Sequence, residues 1–85
     1  MTTIMLFTHP TCSPCKAMRE VLRTMDLPDG VKIREVDVAK EPEVGTRYAV
    51  RSFPTMIVLD GNDQTLDTHV GLASQAKVRE LIAAA

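Results

Sequence analysis

Two stretches, Ile4-Met5-Leu6-Phe7 and Thr55-Met56-Ile57-Val58-Leu59, are apolar at nearly every successive position. Neighbouring side chains of a strand point to opposite faces, so such runs need cover on both sides of a sheet. A chain with two of them is driven to an α/β arrangement, a sheet in the middle and helices on either face. The helical material is present. From Ser13 to about Asp26, Met18, Val21, Leu22 and Met25 recur at i, i+3, i+4 and i+7, with Arg19, Glu20 and Arg23 opposite. Pro14 suits the first turn of that helix, where an N–H has no intrahelical partner.

The rest of the chain alternates in the same style. Pro28-Asp29-Gly30 marks a turn. Val31 to Val38 reads as a strand whose alternation slips phase at Glu35, as a bulge or a sheet edge produces. Pro42 opens a short second helix running to about Val50, with Glu43 placed to meet its dipole. Asp60-Gly61-Asn62-Asp63 has hairpin chemistry. The return strand, about Gln64–Val70, sets Leu66 and Val70 on one face and Thr65, Asp67 and His69 on the other. That predicts one wet face and a place near an edge. Ser74 is the expected cap of a last helix with Val78, Leu81 and Ile82 as its buried stripe. The order is β-α-β-α-β-β-α. A crossover joins parallel strands, a hairpin closes a four-stranded mixed sheet, and helices lie on both faces. Residues 1–85 are expected to form one domain, with no linker or repeat.

Composition narrows the function classes. Eighty-five residues with 45% hydrophobic side chains support one core without covalent staples. Ten basic and eleven acidic residues are dispersed, leaving a net charge of −1 and no basic block to suggest nucleic acid. No apolar run approaches the roughly 20 residues of a membrane span. Met1-Thr2-Thr3 leads straight into a strand without the basic and long apolar regions of a signal peptide, so a cytoplasmic, reducing setting is expected.

The only two cysteines stand in Cys12-Ser13-Pro14-Cys15, between the first strand and the first helix. A bridge this short constrains the unfolded chain little, so the pair is there for chemistry. Metal ligation is one reading, but a tetrahedral site takes four ligands, and only His9 and His69, in separate elements, are left to complete it. Thiol–disulfide exchange is the other. Free N–H groups at the helix start favour a Cys12 thiolate, lowering its pKa below the reference of about 8.5. Cys12 is then the solvent-facing nucleophile. Cys15, one turn inside the helix, is the shielded thiol that resolves the mixed disulfide. Pro14 stiffens the turn and Ser13 adds little bulk.

Phe53-Pro54-Thr55 is the second constellation. Proline cannot donate to a ladder, so Pro54 belongs at the beginning of the apolar strand. A cis Phe53–Pro54 bond would leave backbone groups free for an extended peptide, though cis is the minority form of X-Pro bonds in general.

Strand, C-x-x-C, helix, then Val50-Arg51-Ser52-Phe53-Pro54-Thr55 opening an apolar hairpin, then Gly71 before the last helix: over essentially its whole length the chain resembles the thioredoxin superfamily. The resemblance implies a cis Pro54 beside the two cysteines and substrate pairing with the backbone at Phe53. It implies a substrate surface of Ser13, Pro14, Phe53, Pro54 and Gly71, and no cofactor beyond the cysteine pair. The implied partners are disulfide-containing proteins and a thioredoxin-reductase-like electron donor; a monomer is expected, with no nucleic-acid or membrane partner. Two departures from thioredoxins matter. Thr11 stands where they carry Trp, and Leu6 where they carry a buried Asp, which leaves Cys15 without an internal base, so water or substrate takes its proton. Against glutaredoxins, Pro14 replaces the aromatic third residue, and the glutathione-holding glycines shrink to Gly71-Leu72-Ala73-Ser74.

A protein disulfide reductase is the favoured reading. A glutathione-dependent glutaredoxin and a non-catalytic binding module on the same fold are the alternatives. Around the site, His9 either tunes the nucleophile or is a solvated loop residue, with the latter favoured. His69 reads as exposed, Lys16 as thiolate support or plain surface, Asp37 as a proton-transfer group or a solvated strand end. Phe53 either lines the groove or packs on the core. Tyr48 reads as a helix residue closing the core, and the methionines as core filler.

Overall fold

The two apolar runs become the inner strands of the sheet. A computed structural model describes residues 1–83. Its elements are β1 (Thr2–Thr8), α1 (Ser13–Thr24), β2 (Val31–Asp37), α2 (Pro42–Arg47), β3 (Thr55–Leu59), β4 (Thr65–Val70) and α3 (Gln75–Ala83). The four strands lie in the order β2-β1-β3-β4. β1 pairs parallel with β2 and antiparallel with β3, and β3 pairs antiparallel with β4. This is the expected mixed α/β sheet of a thioredoxin-like fold.

Alternation along β1 and β3 divides the core in two. Ile4, Leu6, Met56 and Val58 face α1 and α3, meeting Met18, Leu22, Val78 and Leu81. Met5, Phe7, Ile57 and Leu59 face α2, meeting Val44, with Tyr48 and Phe53 against the margin. Every residue from Ile4 to Phe7 is at most 2% exposed, so β1 is covered on both faces as its sequence demands. The predicted cap at Ser74 forms, its Oγ accepting from the N–H of Lys77 at 3.1 Å. Among the described residues no helix is long and apolar enough to cross a membrane.

Three local expectations change. The phase slip in β2 is an edge effect, not a bulge. Its register with β1 is unbroken from Val31 to Asp37, yet Lys32 to Glu35 are exposed and only Val36 is buried. The bulge lies in the hairpin: Val58 pairs with Asp67 and Leu59 with Thr65, leaving Leu66 as the extra residue. On this edge strand Leu66 and Val70 are 41% and 60% exposed, and the half-buried face expected of β4 does not form.

The third change is the length of α2, which stops at Arg47 rather than near Val50. Ala49 turns left-handed at φ 55°, and the chain closes with Val50 N–H on the carbonyl of Gly45 at 2.9 Å. An alanine in that conformation costs about 1–2 kcal/mol, a cost glycine avoids at some loss of unfolded-chain entropy. Ala49→Gly is expected to stabilise the fold by about 0.5–1 kcal/mol, raising Tm by a few degrees in thermal unfolding. An unchanged or lower Tm would contradict this.

α1 is tied to β2 by a two-pronged ion pair, Arg19 Nε and one terminal nitrogen to the two Glu35 oxygens, each at 2.7 Å. The Arg19 hydrogen bonds hold the Glu35 carboxyl below its ordinary pKa, against a desolvation effect and with a further hydrogen bond from Thr8. A folded-state value below the unfolded one stabilises above the unfolded pKa, and that gain disappears as pH falls through the folded value. Both side chains are substantially exposed, at 48% and 35%, so the pair is worth under about 1 kcal/mol. Glu35→Gln is expected to cost that amount near neutral pH. The gap to the parent should close in acid, as urea denaturation across pH would show.

Candidate active site

The site starts where β1 ends. Thr8 is the last residue of the strand and Ser13 the first of α1, so the intervening turn sets Cys12 at the helix N-cap, with extended backbone (φ −95°, ψ 103°). Its own carbonyl and sulfur both accept from the Cys15 N–H, at 3.3 and 3.2 Å. One of the orphan donors of the helix start is thus aimed at the Cys12 sulfur. Cys12 and Cys15 are joined by a disulfide, with Cα atoms 5.3 Å apart. Cys15 is 1% exposed, whereas Cys12 is only partly buried, so Cys12 is the accessible member of the pair.

The approach turn is fixed from within. Cys12 N–H donates to the His9 carbonyl at 3.0 Å, and Thr11 N–H donates to His9 Nδ1 at 3.3 Å. A backbone N–H only donates, so Nδ1 is the acceptor in this contact. The Thr11 hydroxyl lies 2.9 Å from the same nitrogen. The imidazole in turn leans on Phe53, with ring centroids 5.6 Å apart, a favourable aromatic distance. His9 is thereby a structural part of the site rather than a solvated loop residue.

The second wall comes from the segment before β3. The Phe53–Pro54 peptide bond is cis, and Pro54 is buried. Its carbonyl accepts from Gly71 N–H at 2.8 Å, and the Thr55 hydroxyl donates to the Ser52 carbonyl at 2.7 Å. Gly71 adopts φ +94°, a conformation that side-chain-bearing residues rarely take; no atom would obstruct a Cβ there, so conformation alone calls for glycine. His69 steadies the same turn, its Nε2 lying 3.0 Å from the Leu72 carbonyl, a tie that reading it as merely exposed missed.

Between the walls lies a shallow groove of about 550 Å³ lined by His9, Thr11, Cys12, Arg51, Ser52 and Phe53. Cys12 and Phe53 of the sequence-predicted set meet here, and Pro54 and Gly71 support its wall from behind. Ser13 and Pro14 stand exposed on the first turn of α1, outside the lining. Phe53 does both things considered for it, flanking the α2-side core and lining the groove. Arg51 and the His9–Phe53 contact were missed. Arg51 is visible in sequence only as a charge two places before Phe53, and the ring contact joins residues far apart in the chain. The other large cavity, about 500 Å³ and including Thr3, Lys32 and Leu59, lies at the far end of the sheet from Thr8 and belongs to a different surface.

A disulfide at a helix start, one half shielded and the other open to a groove, is the working part of a thiol–disulfide oxidoreductase. The chain belongs to the thioredoxin family, whose family model matches residues 1–84. Thioredoxin of Bacillus subtilis is 37% identical over 79 residues, spanning 89% of this chain and 74% of that protein. Thioredoxin of Rickettsia bellii is 32% identical over 73 residues, spanning 84% and 69%. The solved structure of Malassezia sympodialis thioredoxin superposes with a TM-score of 0.83 at 29% identity, covering 99% of this chain and 76% of that one. Thioredoxins act through their cysteine pair, on disulfide-bearing proteins and with a reductase partner.

Proposed function

We propose that residues 1–85 act as a single-domain protein disulfide reductase in which Cys12 attacks and Cys15 resolves. The observation that carries this reading is the contrast between the two sulfurs: Cys12 caps the helix, receives the Cys15 N–H and borders the groove, while Cys15 is buried. In the reduced protein that N–H and the helix start favour a Cys12 thiolate.

The thiolate attacks one sulfur of a substrate disulfide, expelling the other as a thiolate that takes up a proton. Cys15, giving up its own proton, then attacks the Cys12 sulfur of the mixed disulfide. The Cys12–Cys15 bond forms, the second substrate thiol leaves, and two electrons have passed to the substrate. No acid stands at Leu6, and Glu35, the carboxylate paired across from it, is engaged by Arg19. The departing substrate thiolate, or water, therefore takes the Cys15 proton.

A reductase-type donor fits better than glutathione, because the segment Gly71-Leu72-Ala73-Ser74 is spent on holding Pro54 and capping α3. No cofactor beyond the cysteine pair enters the cycle, and a reducing compartment such as the cytoplasm is the setting in which it turns over, with the protein as a monomer. The test is steady-state reduction of insulin disulfides with NADPH and a bacterial thioredoxin reductase, against the same assay with glutathione and glutathione reductase. Turnover in the first alone is expected. Turnover only in the second would make the protein a glutaredoxin, and turnover in neither, a binding module.

A further inference from the structure

The groove beside Cys12 carries charge of one sign only. Arg51 is the sole permanently charged residue in its lining; His9 is the other basic one, and Thr11, Ser52, Phe53 and Cys12 complete the set without a carboxylate. Among the described residues Arg51 has no ion-pair partner. Several carboxylates elsewhere are engaged: Glu35 by Arg19, Glu20 by Arg23, Glu41 by Arg34, Glu80 by Lys77. Asp37 and Asp60 accept from nearby backbone N–H groups. Beside Pro54, joined to it through the Gly71 N–H, the exposed Val70 and Leu72 add apolar surface.

The geometry points to Arg51 as a specificity-determining residue that directs the protein toward disulfides flanked by acidic side chains. The inference rests on the disulfide-reductase reading and names the substrate class of that same site. A substrate segment lying along the groove presents the residues next to its cysteine to the Arg51 wall. A glutamate or aspartate there meets an unpaired guanidinium, able to bind a carboxylate through two parallel N–H donors. A lysine there meets like charge. The interaction sits at an open rim, so it acts mainly on encounter and orientation and is screened by salt.

The test uses two short peptides, each closed by one disulfide, identical except that the residues flanking one cysteine are Glu in the first and Lys in the second. With the full chain at low ionic strength, kcat/KM for the Glu peptide should exceed that for the Lys peptide about fivefold. The ratio should fall toward one in about 1 M salt, where the screening length is about 3 Å. Arg51→Ala should remove the preference and Arg51→Glu reverse it. Each ratio is internal to one variant, so partial misfolding leaves it readable. Equal rates on both peptides, a preference for lysine, or a ratio unmoved by Arg51→Glu would overturn the inference while leaving disulfide reduction intact. Failure to reduce either peptide or insulin would overturn both.

Discussion

Cys12→Ser is expected to abolish insulin-disulfide reduction, whereas Cys15→Ser is expected to stop turnover after one attack and accumulate a mixed disulfide on Cys12. The asymmetry follows from where each sulfur lies. Removing Cys12 takes away the only sulfur that borders the groove. Removing the Cys15 thiol leaves the Cys12 sulfur in place, still facing the same backbone N–H, which needs no side chain to donate. The nucleophile then remains competent while nothing is left to release its product. Mass spectrometry under non-reducing conditions reads the outcome as a covalent adduct that dithiothreitol removes. Trapping only by Cys12→Ser would reverse the assigned roles, and equal trapping by both variants would contradict the asymmetry. Full activity in the double Cys→Ser variant would leave a binding module.

Phe7→Ala should cost about 3–5 kcal/mol in urea denaturation, a larger stability loss than either Ala49→Gly or Glu35→Gln could produce. Phe7 is 0% exposed on the α2 side of the sheet, with its ring centroid 5.7 Å from that of Tyr48. α2 is only six residues long, so little can move inward to fill the space left by a ring. A chain of 85 residues has a total stability of roughly 4–13 kcal/mol, so the loss takes a large part of it, with Tm lowered by at least about 12 °C. Cys12 chemistry should survive in whatever fraction folds. A loss under about 1 kcal/mol would show that the α2-side core does not support the sheet as its burial implies.

Where sequence and structure agree, the agreement comes from features that local physics decides. Unbroken apolarity placed β1 and β3 inside the sheet, periodicity placed Met18 and Leu22 of α1 on it, and the serine before α3 caps it as expected. The Cys12-to-Cys15 spacing was enough to separate an accessible from a shielded sulfur, because the helix turn imposes it. What escaped depends on long-range pairing. The edge position of β4 was legible in its alternation, but the single extra residue at Leu66, which breaks the hairpin register, is announced by no pattern in the strand. Lys32 to Glu35 looked irregular because β2 is an edge strand, with Ile33 and Glu35 on the α1 side and Lys32 and Arg34 on the α2 side all left exposed. The His9–Phe53 contact and the unpaired Arg51 exist only once β1 and the Pro54 segment stand side by side.

The direction of electron flow is the quantity that separates a reductase from an oxidase built on the same parts. Equilibrating the protein in glutathione buffers of graded redox ratio, with thiols trapped and counted at Cys12 and Cys15, gives its reduction potential. A value toward the reducing end of the family range, near about −270 mV, is expected from a pair that delivers electrons to protein disulfides. A value near about −120 mV would mean that the Cys12–Cys15 disulfide takes electrons instead, contradicting the assignment as a reductase.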